Sequence, residues 1–299
     1  MKLKQNFKIP SKKSKPKVIL TVIGGVGYGS FFADSKPEKI KTPYGSVFVS
    51  FSQVISSDAV FDVAFISRHQ GKKHVPPHKI NFQALIYAAK EIGAPVLSVN
   101  SVGIMRAIPL TENYEIYEHL KLKSHVEPTS FSDFPLFVPN DFIDMTQNRV
   151  GTFYDKETVH TDMSDPYCIN IRNQLFSVLK DQNLSYSEGV YLCTEGPRFE
   201  TKAEIQMYAQ FADVVGMTGV PEVILAKEAG LCYASLCVLT NPAAGLSSNI
   251  VTADEVKVCA DNHHKIIFSV ISDLAEKLKE KETLEKKCQC KEATESGKL

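Results

Sequence analysis

The sequence contains no tryptophan and no net charge: 34 lysines and arginines balance 34 aspartates and glutamates. Neutral balance removes any global electrostatic case for a nucleic-acid or membrane-surface partner. No apolar run approaches the roughly 18–20 residues that a membrane helix requires. The first residues carry no apolar signal core. There is no GxSxG elbow, no HExxH pair and no paired CxxC, so serine-hydrolase, zinc-protease and zinc-finger readings have nothing to stand on. What remains is ordinary for a globular chain of 299 residues, with 43% hydrophobic and 23% charged side chains.

Seven cysteines are present. Cys232 and Cys237 sit in the apolar stretch LCYASLCVL and read as small buried hydrophobes, which suits a reducing, cytoplasmic compartment. Cys288 and Cys290 form a CQC pair near the C-terminus. A zinc site would need a second pair, and none lies near them in sequence. The first 17 residues hold seven lysines and no acid. A solvated tail and a nuclear signal both fit that composition. Residues 281–299 read as a flexible tail, and residues 110–133, polar and spotted with aromatics, read as a surface insertion.

Between the tails, strand and helix patterns alternate. Strands are expected at 18–23, 60–67, 95–102, 189–193 and 231–240. Helices are expected at 80–92, 168–182, 202–211, 221–229 and, as one long amphipathic stretch, 252–279. Such alternation argues for an α/β fold around a covered sheet.

Candidate site residues fall at the ends of the strands, where open α/β sheets place their ligands. The first strand runs into GGVGYGS, residues 24–30. A dinucleotide fingerprint would need glycine at position 30, which is serine, and a phosphate-binding GK[ST] is absent. Glycines there let backbone N–H groups approach an anion; a tight turn fits equally. Arg68 and His69 follow the next strand, with Lys72, Lys73 and His74 close behind. The planar arginine fork beside an imidazole suits a phosphate-like oxyanion, and a solvated loop is the alternative. Asn100 and Ser101 end another apolar run. In TEGPRFET, residues 194–201, Phe199 can stack on a flat heteroaromatic ring and Glu200 can accept from a ring N–H; Glu195 and Arg198 can equally form a structural ion pair. Thr218 precedes a helix start. Asn241, at a strand end before Pro242 and Ala243, offers both a donor and an acceptor, as a purine edge requires.

Together these stretches resemble the methylthioadenosine and purine nucleoside phosphorylase family, in its trimeric branch. The matching pieces are IGGVG, RHQGKKHVPPHKINFQALIYAAKEIG, NSVG, DFIDMTQNRVGTFYD, HTDMSDPYC, TEGPRFETKAE and ADVVGMTGVPEVILAKEAGLCYASLCVLTN, in the family's order over most of residues 18–275. The resemblance implies a single α/β domain, residues 18–280, with a mixed, distorted central sheet flanked by helices, working as a homotrimer. It implies phosphorolysis with inorganic phosphate as co-substrate and no other cofactor or metal. By resemblance Arg68, His69, Asn100, Ser101, Thr218 and the position of Val26 surround phosphate. Met217 packs on the ribose. Phe199, Glu200, Asn241, Pro242 and Ala243 face the base, and His160 reaches a neighbouring subunit's 5′-substituent pocket. Some heat-stable members carry a redox or disulfide pair in the C-terminal tail, a reading that stands beside two plain thiols for Cys288 and Cys290.

Members acting on 6-aminopurines carry aspartates after the last strand and lack the glutamate that follows the stacking Phe. This chain has Thr240-Asn241-Pro242-Ala243 and Glu200. A carboxylate that accepts N1–H suits a 6-oxopurine such as methylthioinosine, inosine or guanosine. Adenine has no N1–H, and the mismatch in a buried site costs ~1–3 kcal/mol. Two departures set against this are Val26, where the family carries a hydroxyl, and a basic loop one residue longer than usual. A hydrogen bond lost to a charged ligand is worth about 1.5–3 kcal/mol. The alternatives are therefore a methylthioadenosine phosphorylase or a purine-binding member with weakened catalysis.

Overall fold

The computed structural model describes residues 17–25, 35–57, 59–70, 74–106, 136–247, 250–279, 288–295 and 297. Val26, the basic tail 1–16 and the insertion at 110–133 lie outside the described residues.

The chain builds its sheet from the first apolar run outward. Strand β1 (Leu20–Gly24) is wholly buried and lies between two parallel neighbours, β4 (Ala59–Ser67) and β5 (Val96–Ile104). These strands read as near-continuous apolar runs because helices cover both faces. A pair that the sequence patterns did not suggest, β2 (Glu38–Thr42) and β3 (Gly45–Ser56), adds antiparallel to the outer side of β4. On the other side β5 pairs with β8 (Val214–Gly216), then come β7 (Tyr186–Thr194), β6 (Leu136–Met145) and β9 (Tyr233–Pro242). Because β9 also pairs parallel with β5, the strands β5, β8, β7, β6 and β9 close into a ring. The sheet is mixed, nine-stranded and distorted in this way, within one α/β domain.

Helix α1 (Phe82–Ile92) starts where the Asn81 side chain accepts from Ala84 N and stops at Gly93, whose φ of 73° a side chain would resist. It packs with α4 (Glu222–Glu228) on one side of the sheet, in a core that includes Leu85, Ile86, Val223 and Leu225. Helix α2 (Ile169–Asp181) covers the opposite side with α6 (His264–Lys277), through Ile171, Leu175, Ile267 and Ile271. The short α3 (Lys202–Tyr208) sits on Leu192 and Val215.

The long helix expected at 252–279 is two helices, α5 (Ala253–Asn262) and α6. The buried ring of His263 lies at the break, its Nδ1 2.9 Å from the Cys259 carbonyl. That carbonyl also accepts from His263 N at 3.2 Å, and the same N is shared with Ala260 O at 3.2 Å, a tightened turn at which the two helices part. Residues 288–295, expected to be part of a solvated tail, instead lie against the domain: Cys290 and Ala293 are buried, and Ala293 O accepts from Asp162 N at 2.9 Å.

Candidate functional site

Parallel pairing of β1, β4, β5 and β9 carries Gly25, Arg68, Asn100 and Asn241 toward one end of the sheet. The backbone of Arg68 is itself fixed there, its N donating to Gly24 O at 2.8 Å.

Arg68 is fully buried, and its fork is not free. Nε and Nη2 make a bidentate pair with the Glu222 carboxylate at 2.9 and 3.1 Å. Nη2 also reaches Ser98 Oγ at 2.8 Å, and Nη1 donates to Val99 O at 3.1 Å. Burial works against the guanidinium charge, but the Glu222 carboxylate outweighs it and the pKa is raised. The bidentate grip on an oxyanion expected from the sequence is thus taken by a carboxylate. What Arg68 turns toward the β1 loop is Nη1, 3.5 Å from where a Cβ on Gly25 would sit. Glu222 also accepts from Ser98 Oγ at 2.6 Å and Tyr233 Oη at 2.9 Å. A buried ion pair of this kind persists when extra hydrogen bonds satisfy its remaining lone pairs. Nothing in the sequence marked Glu222; an acid at a helix start reads simply as a favourable dipole partner.

His69 faces the same glycine, with Nε2 3.7 Å from the position of a Gly25 Cβ. Its Nδ1 lies 2.6 Å from Val75 O, and the ring stacks on His74 with centroids 3.8 Å apart. A carbonyl accepts and cannot donate, so Nδ1 carries the proton and Nε2 of the neutral ring is an acceptor. Burial first, then the nearby Arg68 and His74, push the His69 pKa down to about 4. The ring is therefore neutral at neutral pH.

The next group is a chain of short polar bonds. Thr218 Oγ1 donates to Asn100 Oδ1 at 2.9 Å, and Asn100 Nδ2 donates to Ser98 and Ser235 at 2.9 and 2.7 Å. Ser98 thus links Asn100 and Thr218 to the Arg68–Glu222 pair. Ser101, the next residue of β5, is half-buried. Two backbone amides, Thr218 N and Gly219 N, donate to the buried Tyr191 hydroxyl. Met217 packs against Gly196 so closely that a Cβ there would fall 2.6 Å from its Sδ; with φ of 63° the position suits glycine on both counts.

TEGPRFET divides into support and presentation. The ion pair open in the sequence, Glu195 with Arg198, is not the one formed. Glu195 pairs with Arg149 at 3.5 Å and accepts from Gln147 N and Asn148 N, tying the turn to the segment after β6. Arg149 in turn donates to Thr194 O, Glu195 O and Val220 O. Arg198 makes a bidentate pair with Glu204 at 2.9 and 2.7 Å. Glu204 also closes a capping box with Thr201 at the start of α3. Phe199 is left 39% exposed, available for stacking, and Glu200 Oε1 accepts from Thr194 Oγ1 at 2.6 Å. That bond orients the carboxylate while its second oxygen remains an acceptor.

Asn241 lies where the β5–β9 register shifts, opposite Gly103. Its Oδ1 is 2.8 Å from Thr240 Oγ1, and one Nδ2 hydrogen goes to Pro242 O at 2.9 Å, leaving the other as a donor. Pro242 is half-buried, and Ala243 packs in the small core beneath α3. His160 stands apart from this network: it is exposed, and its backbone N donates to Gly297 O.

Residues 132–276 match the model of the phosphorylase superfamily. Over 94% of its length the chain is 43% identical to a probable S-methyl-5′-thioinosine phosphorylase of Methanosarcina acetivorans, covering 96% of that protein. It is 38% identical to a probable 6-oxopurine nucleoside phosphorylase of Dictyoglomus turgidum, with 92% of this chain and 95% of that one aligned. Among solved structures, a methylthioadenosine phosphorylase from an Antarctic soil metagenomic library superimposes with a TM-score of 0.76 at 27% identity, over 95% of this chain and 93% of that chain.

Proposed function

Since the chain belongs to the phosphorylase superfamily, with full-length relatives above 40% identity, we propose that it is a pentosyltransferase that cleaves purine nucleosides with inorganic phosphate, preferring 6-oxopurines. The observation that carries the reading is the acceptor Glu200 and the donor-bearing Asn241, suited to such a base, together with the Arg68 guanidinium and the neutral His69 ring that face Gly25.

In this mechanism a phosphate oxygen attacks C1′ as the C1′–N9 bond breaks, and the bonding electrons leave on the purine. Hydrogen phosphate gives up its proton overall, and the departing base gains one, so the products are free purine and pentose 1-phosphate. Arg68 supplies positive charge and an Nη1 donor. A neutral His69 accepts from the protonated phosphate oxygen through Nε2, so it selects the hydrogen-bearing form of the anion. Thr218, held by Asn100, lies beside them, and Ser101 follows on β5. The free Nδ2 hydrogen of Asn241 meets N7 of the leaving purine, and Glu200 accepts from N1–H. Met217 and Phe199 bracket the sugar and the base. Catalysis on this reading is positioning and electrostatics, with no nucleophilic side chain.

The naming of the Methanosarcina and Dictyoglomus relatives agrees with the 6-oxopurine preference. A methylthioadenosine phosphorylase remains the second reading, favoured by the naming of the Thermofilum pendens relative at 38% identity. We further infer a homotrimer in which His160 serves a neighbour's 5′ pocket; light scattering of the purified chain tests the assembly. The function is tested by assaying methylthioinosine, inosine, guanosine and methylthioadenosine with and without phosphate. Phosphate-dependent release of hypoxanthine or guanine is expected. Preference for methylthioadenosine overturns the base assignment, and phosphate-independent or absent turnover on all four overturns phosphorolysis. Val26→Thr should lower the phosphate KM by about tenfold or more, the value of one regained bond to a charged ligand.

A further inference from the structure

Four cysteines from three distant parts of the chain meet at one place. Cys168 caps the start of α2, Cys232 precedes β9, and Cys288 and Cys290 belong to the terminal segment. Their Sγ atoms all lie within 4.8 Å of one another, and Cys232 and Cys288 are 3.4 Å apart. Cys168 N donates to Tyr233 O, which brings the first two together. The terminal segment crosses Gly230, whose Cβ position is 3.5 Å from Lys291 Cα, and delivers the other two. Cys168 and Cys290 are buried in the core beneath α2 and α6, and Cys232 and Cys288 pack against its rim. The second pair that a zinc reading lacked in the sequence is thus supplied by the fold.

We propose that Cys168, Cys232, Cys288 and Cys290 form a tetrahedral thiolate site for zinc or a similarly thiophilic divalent ion, which clasps the C-terminal segment to the domain. Zn–S bonds of about 2.3 Å place tetrahedral sulfurs about 3.8 Å apart. Small side-chain rotations reach that spacing from the observed cluster. Cysteines acting as small hydrophobes fill space without turning four sulfurs on one point. Separate disulfides account for sulfurs in pairs, not for four mutual neighbours. Binding releases the thiol protons and converts the four groups to thiolates, so affinity weakens as pH is lowered. The clasped segment also makes backbone bonds to residues 160 and 162, through Gly297 O and Ala293 O. Metal loss therefore loosens the strip carrying His160. The site stands whatever nucleoside the strand ends accept.

The test is the metal content of the full chain, purified under reducing conditions with zinc supplied. About one zinc per chain is expected, falling below about a tenth in Cys288→Ser and in Cys290→Ser. Cobalt reconstitution should give the visible bands of tetrahedral cobalt with a near-ultraviolet thiolate charge-transfer band. Hydrogen exchange at 160–162 should quicken on chelation, a readout that needs no enzymatic activity. Reduced wild-type protein that takes up neither zinc nor cobalt overturns the proposal. So does protein whose cysteines are found paired as disulfides and which binds no metal once reduced. Because the wild-type measurement decides alone, an unfolded variant does not rescue the idea.

Discussion

At the residue scale, Glu222 decides how Arg68 behaves. Glu222→Gln keeps the shape and removes the compensating charge, leaving a buried guanidinium unpaired. Breaking such a pair costs about 3–5 kcal/mol, and chemical denaturation should show a loss of that size. A doubly apolar Arg68→Met, Glu222→Met chain should regain much of the stability while its phosphate KM rises above that of the wild type. Stability and phosphate affinity would part company in this pair of variants. Glu200→Gln should cut kcat/KM for inosine by about tenfold to hundredfold, the worth of one mismatched buried contact, and spare methylthioadenosine; equal losses on both would remove Glu200 from base recognition. His69 sets a pH dependence. Its unfolded ring titrates near 6.5 and its folded ring near about 4. Between those values the unfolded chain holds more protons, so stability is complete above 6.5 and is lost as pH falls toward about 4. Thermal melts of His69→Asn should show a flatter slope across this window than the wild type.

At the scale of elements, α3 is short and rests on its cap. Thr201→Ala removes one half of the capping box and should cost about 1 kcal/mol. Because Phe199 and Glu200 lie just before that cap, KM for the nucleoside should rise with little change in KM for phosphate. This is also the scale at which the sequence spoke most clearly and failed most visibly. Helix α1 announced itself through its apolar stripe and Gly93, and β1, β4, β5 and β9 through apolar runs. Strand β2 escaped because it is short and charged, β3 because its polar and apolar residues are only half-buried, and β6 because Pro139 and Asn140 interrupt it. The single helix expected over 252–279 failed at His263, where the last turn of α5 tightens and its N is shared between Cys259 O and Ala260 O. The candidate site residues at strand ends could be picked out as residue types in sequence order. Which groups bond to which was not. Glu222 taking the fork of Arg68, and Arg149 rather than Arg198 taking Glu195, depend on residues far apart in sequence.

At the scale of the whole molecule, the ring of β5, β8, β7, β6 and β9 ties the strand ends that carry the candidate site to one another. Gly103 and Asn241 face each other across the shifted register, and Met217 and Gly196 interlock on adjacent strand ends. Closure also has a consequence for how the protein lives in a crowded solution. A sheet rolled onto itself at one end has spent its hydrogen-bonding rim there. Among the described strands the remaining open rim is β2, Glu38–Thr42, whose exposed side chains are Glu38 on one face and Lys39 and Lys41 on the other. An exposed strand rim is a template on which another copy can add, and charged side chains are a common guard against it. Among the described residues, then, the guard on this rim is a strand of five residues with three exposed charged side chains.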